Sequence, residues 1–391
     1  MKKTKAVLPI IVLSQFFCTS LWFAGNGVVE DLIIHFELGE GMTGYLTSSV
    51  QFGFIIGTLL FAILSIADRY SPSKVFFVCS LLGAAFNMGI IIDENTMAST
   101  LMFRFFTGFF LAGIYPVGMK IAADYYQKGL GLSLGFLVGA LVVGTAFPHL
   151  LKDLKGDLPW QFVLISTSVL ASIGGILMLA LIPDGPYRKP SPKFKLTAIF
   201  EVFKTPDFRS AAFGYFGHMW ELYAFWSFVP ILLFMYEDHH QSINLNIPLV
   251  SFFVIAIGGA ACIMGGYISL KSGVRKTAFI ALLLSCSCCL VSPIIFTIDS
   301  PLLFLFFLLF WGMVVIADSP LFSSLVAHHA PVELKGTALT IVNCVGFFLT
   351  ILSIQLINHL YVSYHTPYIL TILAIGPILG LLSLLKIRSK S

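Results

Sequence analysis

The sequence predicts an all-α polytopic membrane protein with twelve transmembrane helices in two six-helix bundles. Three observations lead to this fold class: the composition, the number of apolar segments and a repeat that relates the two halves. Of the 391 residues, 58% are hydrophobic and only 11% are charged, and the mean hydropathy is +0.93. A soluble protein carries about 25% charged residues because its surface faces water. The chain has too little charge to coat a globule of its size, so lipid is the expected solvent.

Twelve segments are long enough to cross a bilayer, which requires about 20 mostly apolar residues. They are 6–26, 45–67, 74–92, 99–123, 131–151, 161–183, 210–234, 247–269, 277–298, 302–327, 337–359 and 368–385. The first segment follows Lys2, Lys3 and Lys5 and in this respect resembles a signal peptide. It has no convincing small-x-small cleavage site, and eleven further segments follow. We therefore expect an uncleaved first helix.

Basic residues are divided unequally between the two sides of these segments. With both termini in the cytoplasm, 19 of the 23 lysines and arginines face the cytoplasm, and only Lys152 and Lys155 face the other side. Arg104 and Lys120 lie inside predicted helices. Lysine and arginine near transmembrane helices are enriched on the cytoplasmic side. We therefore expect a multi-pass protein of the cell inner (cytoplasmic) membrane with both termini cytoplasmic.

A polar, basic segment divides the chain into two halves of six helices. We expect an N-terminal six-helix bundle over 1–183, a cytoplasmic linker over 184–209 and a C-terminal six-helix bundle over 210–391. Short motifs recur in the second half at a nearly constant offset of 202 to 205 residues, as a duplicated bundle requires. The matching pairs are Lys74 with Lys276, Gly108 with Gly312, Pro116 with Pro320 and Gly131 with Gly336.

A charged turn follows the second helix of the first half and has a partial copy in the second half. Asp68 and Arg69 match the pattern Gly-x-x-x-Asp-Arg-x-Gly-Arg-Arg/Lys, with Leu64 and Ser71 at the glycine positions. The second copy has Leu270 in place of the acid, and its retained residues are Gly266, Gly273 and Arg275. With these motifs the chain resembles the major facilitator superfamily over its whole length.

The resemblance implies two bundles related by a pseudo-two-fold axis, with a solute cavity between them. It also implies that Asp68, Arg69 and Arg275 belong to a cytoplasmic gate, where charged side chains cap helix ends and pair with neighbouring helices. A second family pattern, Arg-x-x-x-Gly in the fourth helix, is met by Arg104 and Gly108.

A third family pattern, the Gly-Pro pair that marks many antiporters in the fifth helix, is missing. Gly131, Gly135 and Gly139 form a ridge of small residues, but Ala140 stands where the proline is expected. Small residues at four-residue spacing let helices approach closely, so we interpret the ridge as a packing feature. The missing pair disfavours a drug/proton antiporter without excluding it.

Four charged residues lie inside predicted spans, where insertion scales give a cost of about 2.5–3.5 kcal/mol each. They are Arg104 and Lys120 in the fourth helix, Glu221 in the seventh and Asp318 in the tenth. The resembled fold lines its cavity with helices one, four, seven and ten, and all four charges fall on that set. We expect Glu221 and Asp318 to serve proton coupling, and Lys120 and Arg104 to bind solute. Alternatively, Lys120 snorkels to the cytoplasmic end and Arg104 locks helix packing.

Glu221 lies in a dense polar and aromatic run of the seventh helix. His218 precedes it by three residues and shares its helix face. A carboxylate beside an imidazole in a poorly hydrated cavity is suited to carry a proton, so we add His218 to the proton-coupling residues. The alternative is a hydrogen-bonded pair inside the bundle. Further candidates for solute binding are Trp22, Asn26, Trp220, Tyr223 and Asn343.

The sequence offers little support for a metal site, a cofactor or an enzyme. The seven cysteines lie inside apolar runs, and the cluster from Cys286 to Cys289 is interpreted as small side chains in a helix. His328 and His329 precede Glu333, but the three residues do not form the zinc-binding pattern His-Glu-x-x-His. We interpret this segment as a surface loop. No nucleotide-binding Gly-rich loop is present, and no lysine-rich arm suggests nucleic acid. We expect no cofactor, no metal and no enzymatic activity.

The leading hypothesis is a secondary active transporter that moves a small polar or amphipathic organic solute across the inner membrane by alternating access. Coupling to protons is the first expectation, and facilitated transport remains open. Mixed acidic and basic groups suit an anion, a zwitterion or a small metabolite. The alternative is a drug/proton antiporter for multidrug efflux. A membrane-embedded enzyme acting on lipid would need clustered catalytic side chains, and none is evident. The expected partners are the solute, protons and the lipid bilayer, and we expect a monomer.

Overall fold

The computed structural model describes residues 4–39, 41–126, 130–188, 198–241 and 243–385. Every regular element in these ranges is helical. Twelve long helices follow one another along the chain. They are α1 Thr4–Thr19, α2 Met42–Ile63, α3 Pro72–Met88, α4 Met97–Tyr125, α5 Leu130–Leu154, α6 Gln161–Leu181, α7 Pro206–His239, α8 Ile247–Ser272, α9 Val274–Phe296, α10 Pro301–His329, α11 Lys335–Tyr364 and α12 Pro367–Leu384.

The prediction of an all-α polytopic membrane protein is confirmed. Within the described ranges, eleven helices are long and apolar enough to cross a bilayer, and Ala6–Thr19 forms a shorter apolar helix. The first predicted segment, 6–26, is therefore not one continuous helix. Regular α1 ends at Thr19, an irregular turn follows, and a short helix covers Ala24–Gly27.

Helices α4 and α10 are each interrupted near a proline that the repeat predicted. The interruption in α4 covers 112–114, and the one in α10 lies at Asp318. Pro116 and Pro320 occupy the first turn of the helix that resumes after each break. Proline has no N–H to donate and its ring clashes with the carbonyl four residues earlier, so a helix is readily broken just before it.

The chain divides into two compact units, Met1–Ser191 and Pro192–Ser391. In the first unit, α1 packs on α5 and α6, α3 packs on α6, and α2 packs on α4. In the second unit, α7 packs on α11 and α12, α8 packs on α10, and α9 packs on α10 and α12. The crossing of α2 with α4 in one unit thus has a counterpart in the crossing of α8 with α10 in the other.

The repeated glycines explain these two crossings. A Cβ atom on Gly108 would lie 2.0 Å from the carbonyl oxygen of Val50 in α2. A Cβ atom on Gly312 would lie 1.9 Å from the carbonyl oxygen of Val254 in α8. No side chain fits at either position, because the two helix backbones touch there. The motif match at this offset therefore reflects the same close crossing in both units.

Candidate functional site

Arg104 lies in the interior of the first unit and is fully buried. Its guanidinium group donates to the carbonyl oxygens of Leu21, at 3.1 Å, and Trp22, and to Oδ1 of Asn87 at 3.2 Å. Leu21 and Trp22 belong to the irregular turn that follows α1, where backbone carbonyls need partners outside the helix. Arg104 therefore fixes this turn, which agrees with the packing alternative for its role.

Asn87 extends the network of Arg104 to a fourth helix. Its amide nitrogen is near three acceptors in α6: the carbonyl oxygen of Leu164 at 3.2 Å, Oγ1 of Thr167 at 3.2 Å and Oγ of Ser168 at 3.0 Å. Side chains and backbone of α1, α3, α4 and α6 are thereby joined in one buried network. The sequence analysis missed Asn87, although a lone amide in an apolar span was the signal that could have found it.

Trp22 and Asn26 both face α2 from the segment that follows the irregular turn. The Trp22 ring lies 4.9 Å from the ring of Phe54, centroid to centroid. The Asn26 amide nitrogen donates to Oγ1 of Thr47 at 2.6 Å. The two predicted solute-binding residues therefore lie along one face of α2.

Lys120 and Asp68 form an ion pair at the end of the first unit that the sequence assigns to the cytoplasm. Nζ of Lys120 lies 3.0 Å from Oδ1 of Asp68, and both side chains are about one-fifth exposed. Asp68 belongs to the short helix Ile66–Arg69, in which Arg69 is exposed. The structure thus joins a predicted solute-binding residue to a predicted gating residue.

The same turn is tied to the chain that follows α6. Arg188 donates to the carbonyl oxygens of Asp68 at 3.0 Å and Tyr70 at 2.8 Å, and it pairs with Asp184. Asp184 in turn accepts a hydrogen bond of 2.6 Å from the Ser71 hydroxyl. These contacts hold the turn between α2 and α3 against the chain that follows α6.

In the second unit, Arg275 lies near the corresponding turn, between α8 and α9, and makes a different contact. Its Nη2 donates to the carbonyl oxygen of Leu384, the last residue of α12, at 2.8 Å. The last carbonyls of a helix lack intrahelical partners and carry partial negative charge. Arg275 therefore caps α12.

Glu221 is buried in the second unit and holds three helices together. Its Oε1 accepts hydrogen bonds from Oγ of Ser285 at 2.5 Å, Nε1 of Trp311 at 2.7 Å and Sγ of Cys289 at 3.2 Å. These donors lie on α9 and α10, whereas Glu221 lies on α7. The Trp311 ring stacks on Phe225 at 4.4 Å, which holds the indole N–H towards the carboxylate.

His218 and Asp318 form a second buried group in the same unit. Nδ1 of His218 lies 2.8 Å from Oδ1 of Asp318, and both side chains are 1% exposed. Asp318 occupies the break in α10 and precedes the resumed helix. The rings of Tyr215 and Phe322 flank the imidazole at 6.0 Å and 5.9 Å.

The pairing of His218 with Glu221 that the sequence suggested differs from the contacts in the structure. His218 contacts Asp318, and the hydrogen-bond partners of Glu221 are Ser285, Trp311 and Cys289, although helical spacing places His218 and Glu221 three residues apart. The break in α10 brings the Asp318 carboxylate against α7, where it contacts the His218 imidazole. Lys120 contacts Asp68 because the short helix after α2 lies beside the part of α4 that follows its break.

The other predicted solute-binding residues line helix contacts inside the second unit. Asn343 on α11 accepts a hydrogen bond of 2.8 Å from the hydroxyl of Tyr215, which places it in the surroundings of His218. The Tyr223 ring lies 5.4 Å from Phe347, also on α11. Trp220 packs closely against Gly376 at α12.

No group of three or more His, Cys, Asp or Glu side chains in the described ranges is arranged to hold a metal ion. The seven cysteines are all buried and form no disulfide. His328 and His329 end α10, and Glu333 lies in the short turn of 3₁₀ helix that follows.

The sequence is similar to a known protein family and to parts of two curated transporters. The family profile described as Major Facilitator Superfamily matches residues 11–354. MFS-type transporter phm3 of Pyrenochaetopsis sp is 30% identical over 155 residues, which cover 38% of this chain and 31% of the relative. Probable inorganic phosphate transporter 1-9 of Oryza sativa subsp. japonica is 24% identical over 176 residues, covering 38% and 28%. The matched part spans about a third of each curated relative.

A solved structure has the same fold over nearly the whole chain. It is a bacterial homologue of the human lysosomal transporter Spinster, in an inward-facing and unoccupied conformation. The TM-score is 0.69, the sequence identity is 14%, and the match covers 98% of this chain and 95% of the other. At this identity the likeness supports the fold alone.

Proposed function

The chain belongs to the major facilitator superfamily, and on that basis we propose that it is a secondary active transporter coupled to protons. Its cargo is a small polar or amphipathic organic solute, carried across the cell inner membrane by alternating access. The chain acts as a monomer with bundles over 1–183 and 210–391, joined by the linker 184–209. Both termini face the cytoplasm, because lysine and arginine are concentrated on that side.

The observation that carries the proposal is the buried pair of His218 and Asp318. Imidazole and carboxyl groups are the side-chain groups best suited to proton exchange, and both of these side chains are shielded from water. Where the dielectric constant is low, one added proton changes the net charge of such a pair with little screening. The energy of the surrounding helix packing then depends on protonation, and coupling to a proton gradient requires this dependence.

The position of the pair at a helix break supports this role. Asp318 lies between the two halves of α10, after Pro301–Ala317 and before Ser319–His329, where the helix hydrogen bonding is interrupted. Protonation of Asp318 removes a negative charge that lies directly beside the His218 imidazole. Since α10 is already interrupted at this residue, the change acts where the helix bends most easily.

Glu221 provides a second group that takes up a proton, and the turn between α2 and α3 provides the gate. The neutral donors of Ser285, Trp311 and Cys289 all favour an ionised Glu221, so protonation weakens the contact of α7 with α9 and α10. The ion pair of Asp68 with Lys120, together with Arg69 and Arg275, stabilises one access state at the cytoplasmic end.

An inorganic anion is a less suitable cargo than an organic solute. The rice relative is named as a phosphate transporter, and phosphate is usually bound by arginine and lysine. In this chain, Arg104 is occupied by backbone carbonyls and Asn87, and Lys120 is occupied by Asp68. Neither cation is available for phosphate without breaking a buried or partly buried contact.

Proton-driven uptake into proteoliposomes tests the coupling role of Asp318. The substrate is the first solute that raises the melting temperature in a screen of metabolites. Asp318→Asn should lose accumulation by at least about tenfold, equivalent to 1.4 kcal/mol. It should retain exchange of solute across the membrane, because exchange requires no net proton movement.

The matched control is Asp299→Asn. Asp299 also lies near a histidine, with 3.6 Å between its Oδ1 and Nδ1 of His240, but its side chain is 73% exposed. This variant should accumulate solute like the parent. Accumulation by Asp318→Asn at the parental level would contradict the proposal.

A further inference from the structure

Gln51 on α2 is a buried amide without hydrogen-bond partners. Its side chain is 0% exposed, and neither Nε2 nor Oε1 has a partner among the described residues. Removing an amide from water without a replacement partner costs free energy, so buried polar groups are nearly always paired. An unpaired amide inside a membrane protein therefore calls for a functional explanation.

The neighbours of Gln51 identify the segment that it faces. Thr47 precedes it by one helical turn and accepts from Asn26, and Phe54 follows it by one turn and contacts Trp22. Gln51 lies between these two contacts on the same face of α2. It therefore faces the segment after α1, where Oδ1 of Asn26 is a second buried atom without a hydrogen-bond partner in the described ranges.

Asn87 shows that the interior of the first unit can supply hydrogen-bond partners to a buried amide. Asn87 is also 0% exposed, yet its nitrogen has three acceptors and its oxygen accepts from Arg104. Gln51 has the same functional group at the same degree of burial and has none of these contacts. Burial in this unit therefore does not by itself leave an amide unpaired, although Gln15 on α1 is also fully buried and has no partner among the described residues.

The unpaired amide atoms favour an uncharged ligand over a charged one. They comprise two amide oxygens, of Gln51 and Asn26, and one amide nitrogen, of Gln51. A carboxylate or phosphate only accepts, so it would leave both oxygens unpaired and face their partial negative charge. A cation accepts no hydrogen bond, so it would leave the amide nitrogen of Gln51 unpaired. An uncharged hydroxyl or amide both donates and accepts.

We propose that Gln51 and Asn26 form a hydrogen-bonding site for uncharged solutes that carry hydroxyl or amide groups. The site adds Gln51 to the solute-binding residues and names the class of solute; it rests on the proposed transport function. The aromatic rings of Trp22 and Phe54 adjoin it and offer an apolar surface to the rest of the solute. A ligand that pairs with Gln51 recovers the free energy that the ligand-free protein gives up there.

Thermal unfolding of the purified ligand-free protein tests the unpaired state of Gln51. Gln51→Leu replaces the amide by an apolar group of similar size, so its melting temperature should equal or exceed that of the parent. The matched control Asn87→Leu removes an amide with four partners and should lower the melting temperature by several degrees. A decrease for Gln51→Leu as large as that for Asn87→Leu would overturn the proposal, because Gln51 would then be paired.

Ligand-induced stabilisation tests the class of solute with matched probes. The uncharged probes are glucose, N-acetylglucosamine, uridine and nicotinamide; the charged counterparts are glucuronate, glucosamine, uridine monophosphate and nicotinate. At least one uncharged probe should raise the melting temperature of the parent, and its charged counterpart should not. Gln51→Leu should abolish the shift, and Asp299→Asn should retain it.

Stabilisation by charged probes only, or by no probe, would overturn the proposed class, as would a shift that Gln51→Leu leaves unchanged. These outcomes differ from a failure of the coupling proposal. If a charged probe binds and its uptake still depends on Asp318, transport stands and the class of solute is wrong. If Gln51→Leu behaves as expected but Asp318→Asn accumulates solute, only the coupling assignment is wrong.

Discussion

Each unit of the chain buries a charged side chain that joins three neighbouring helices, but the two side chains find different kinds of partner. Arg104 on α4 contacts α1 and α3, and Glu221 on α7 contacts α9 and α10. Under the internal repeat, α1, α3 and α4 correspond to α7, α9 and α10. The same three helices are therefore joined by a charge in both units, with opposite sign and from a different member of the trio.

This difference has a chemical consequence. The guanidinium of Arg104 stays protonated and is held by backbone carbonyls and an amide, so its network has one state. Glu221 is held by neutral donors, and a carboxyl group has two protonation states. We therefore expect the corresponding trio of helices to hold a fixed packing element in the first unit and a group that responds to protonation in the second.

The turns at the predicted cytoplasmic ends differ in a similar way. In the first unit, Asp68 pairs with Lys120. In the second unit, Leu270 replaces the acid, and Arg275 donates to the carbonyl oxygen of Leu384. Loss of one charge in the repeat is therefore accompanied by a switch from an ion pair to a helix cap.

The largest expected effect comes from removing the charge in the first unit. Arg104→Leu leaves the carbonyls of Leu21 and Trp22 and the Asn87 oxygen without their donor. It should lower the free energy of unfolding by about 3 kcal/mol or more, since an unsatisfied buried group costs about 1–3 kcal/mol. Denaturant unfolding of the purified protein measures this loss.

The control for Arg104 is Arg209→Leu, which removes an exposed guanidinium that also donates to a backbone carbonyl, that of Phe203, at 3.1 Å. It should change the free energy of unfolding by less than about 0.5 kcal/mol. Similar effects for the two variants would show that Arg104 is not a packing element.

An intermediate effect on stability is expected for Glu221→Gln in the second unit. Glutamine keeps an acceptor oxygen for Ser285, Trp311 and Cys289, so the free energy of unfolding should change by about 1 kcal/mol. Glutamine cannot exchange a proton, and proton-driven accumulation in proteoliposomes should fall at least about tenfold. A loss of stability as large as that of Arg104→Leu, with accumulation intact, would show that Glu221 also serves packing. The proposed difference between the two units would then be wrong.

The smallest effect on stability is expected for the ion pair at the end of the first unit. Asp68→Asn removes a partly exposed pair worth about 0.2–1 kcal/mol, and under the proposed gating role it should also shift the balance between access states. Turnover of solute should fall several-fold more than solute binding does, measured by uptake and by ligand-induced thermal shift. Glu30→Gln, which breaks the pair with Lys152 at 2.9 Å, is the control and should change neither. Equal losses of binding and turnover in Asp68→Asn would indicate a folding defect.

Some features of the site could be predicted because they depend on local sequence. Gly108 and Gly312 match in the repeat because both helix crossings exclude a side chain, and Pro116 and Pro320 match because both helices break there. Charged residues in apolar spans were detectable for the same reason, since burial makes them costly. Their partners were not detectable, because a partner is chosen by helix rotation and by the breaks.

The sequence by itself determined the all-α membrane fold, its repeat and the identity of the buried charges, since composition and periodicity act along the chain. Only the tertiary structure decided that Asp318 contacts His218, that Trp311 donates to Glu221 and that Arg104 holds the turn after α1. These contacts join residues that lie about 80 to 100 positions apart and depend on distances of a few ångströms. Hydropathy assigns a residue to a helix, but the direction of its side chain is set by neighbours that are distant in sequence.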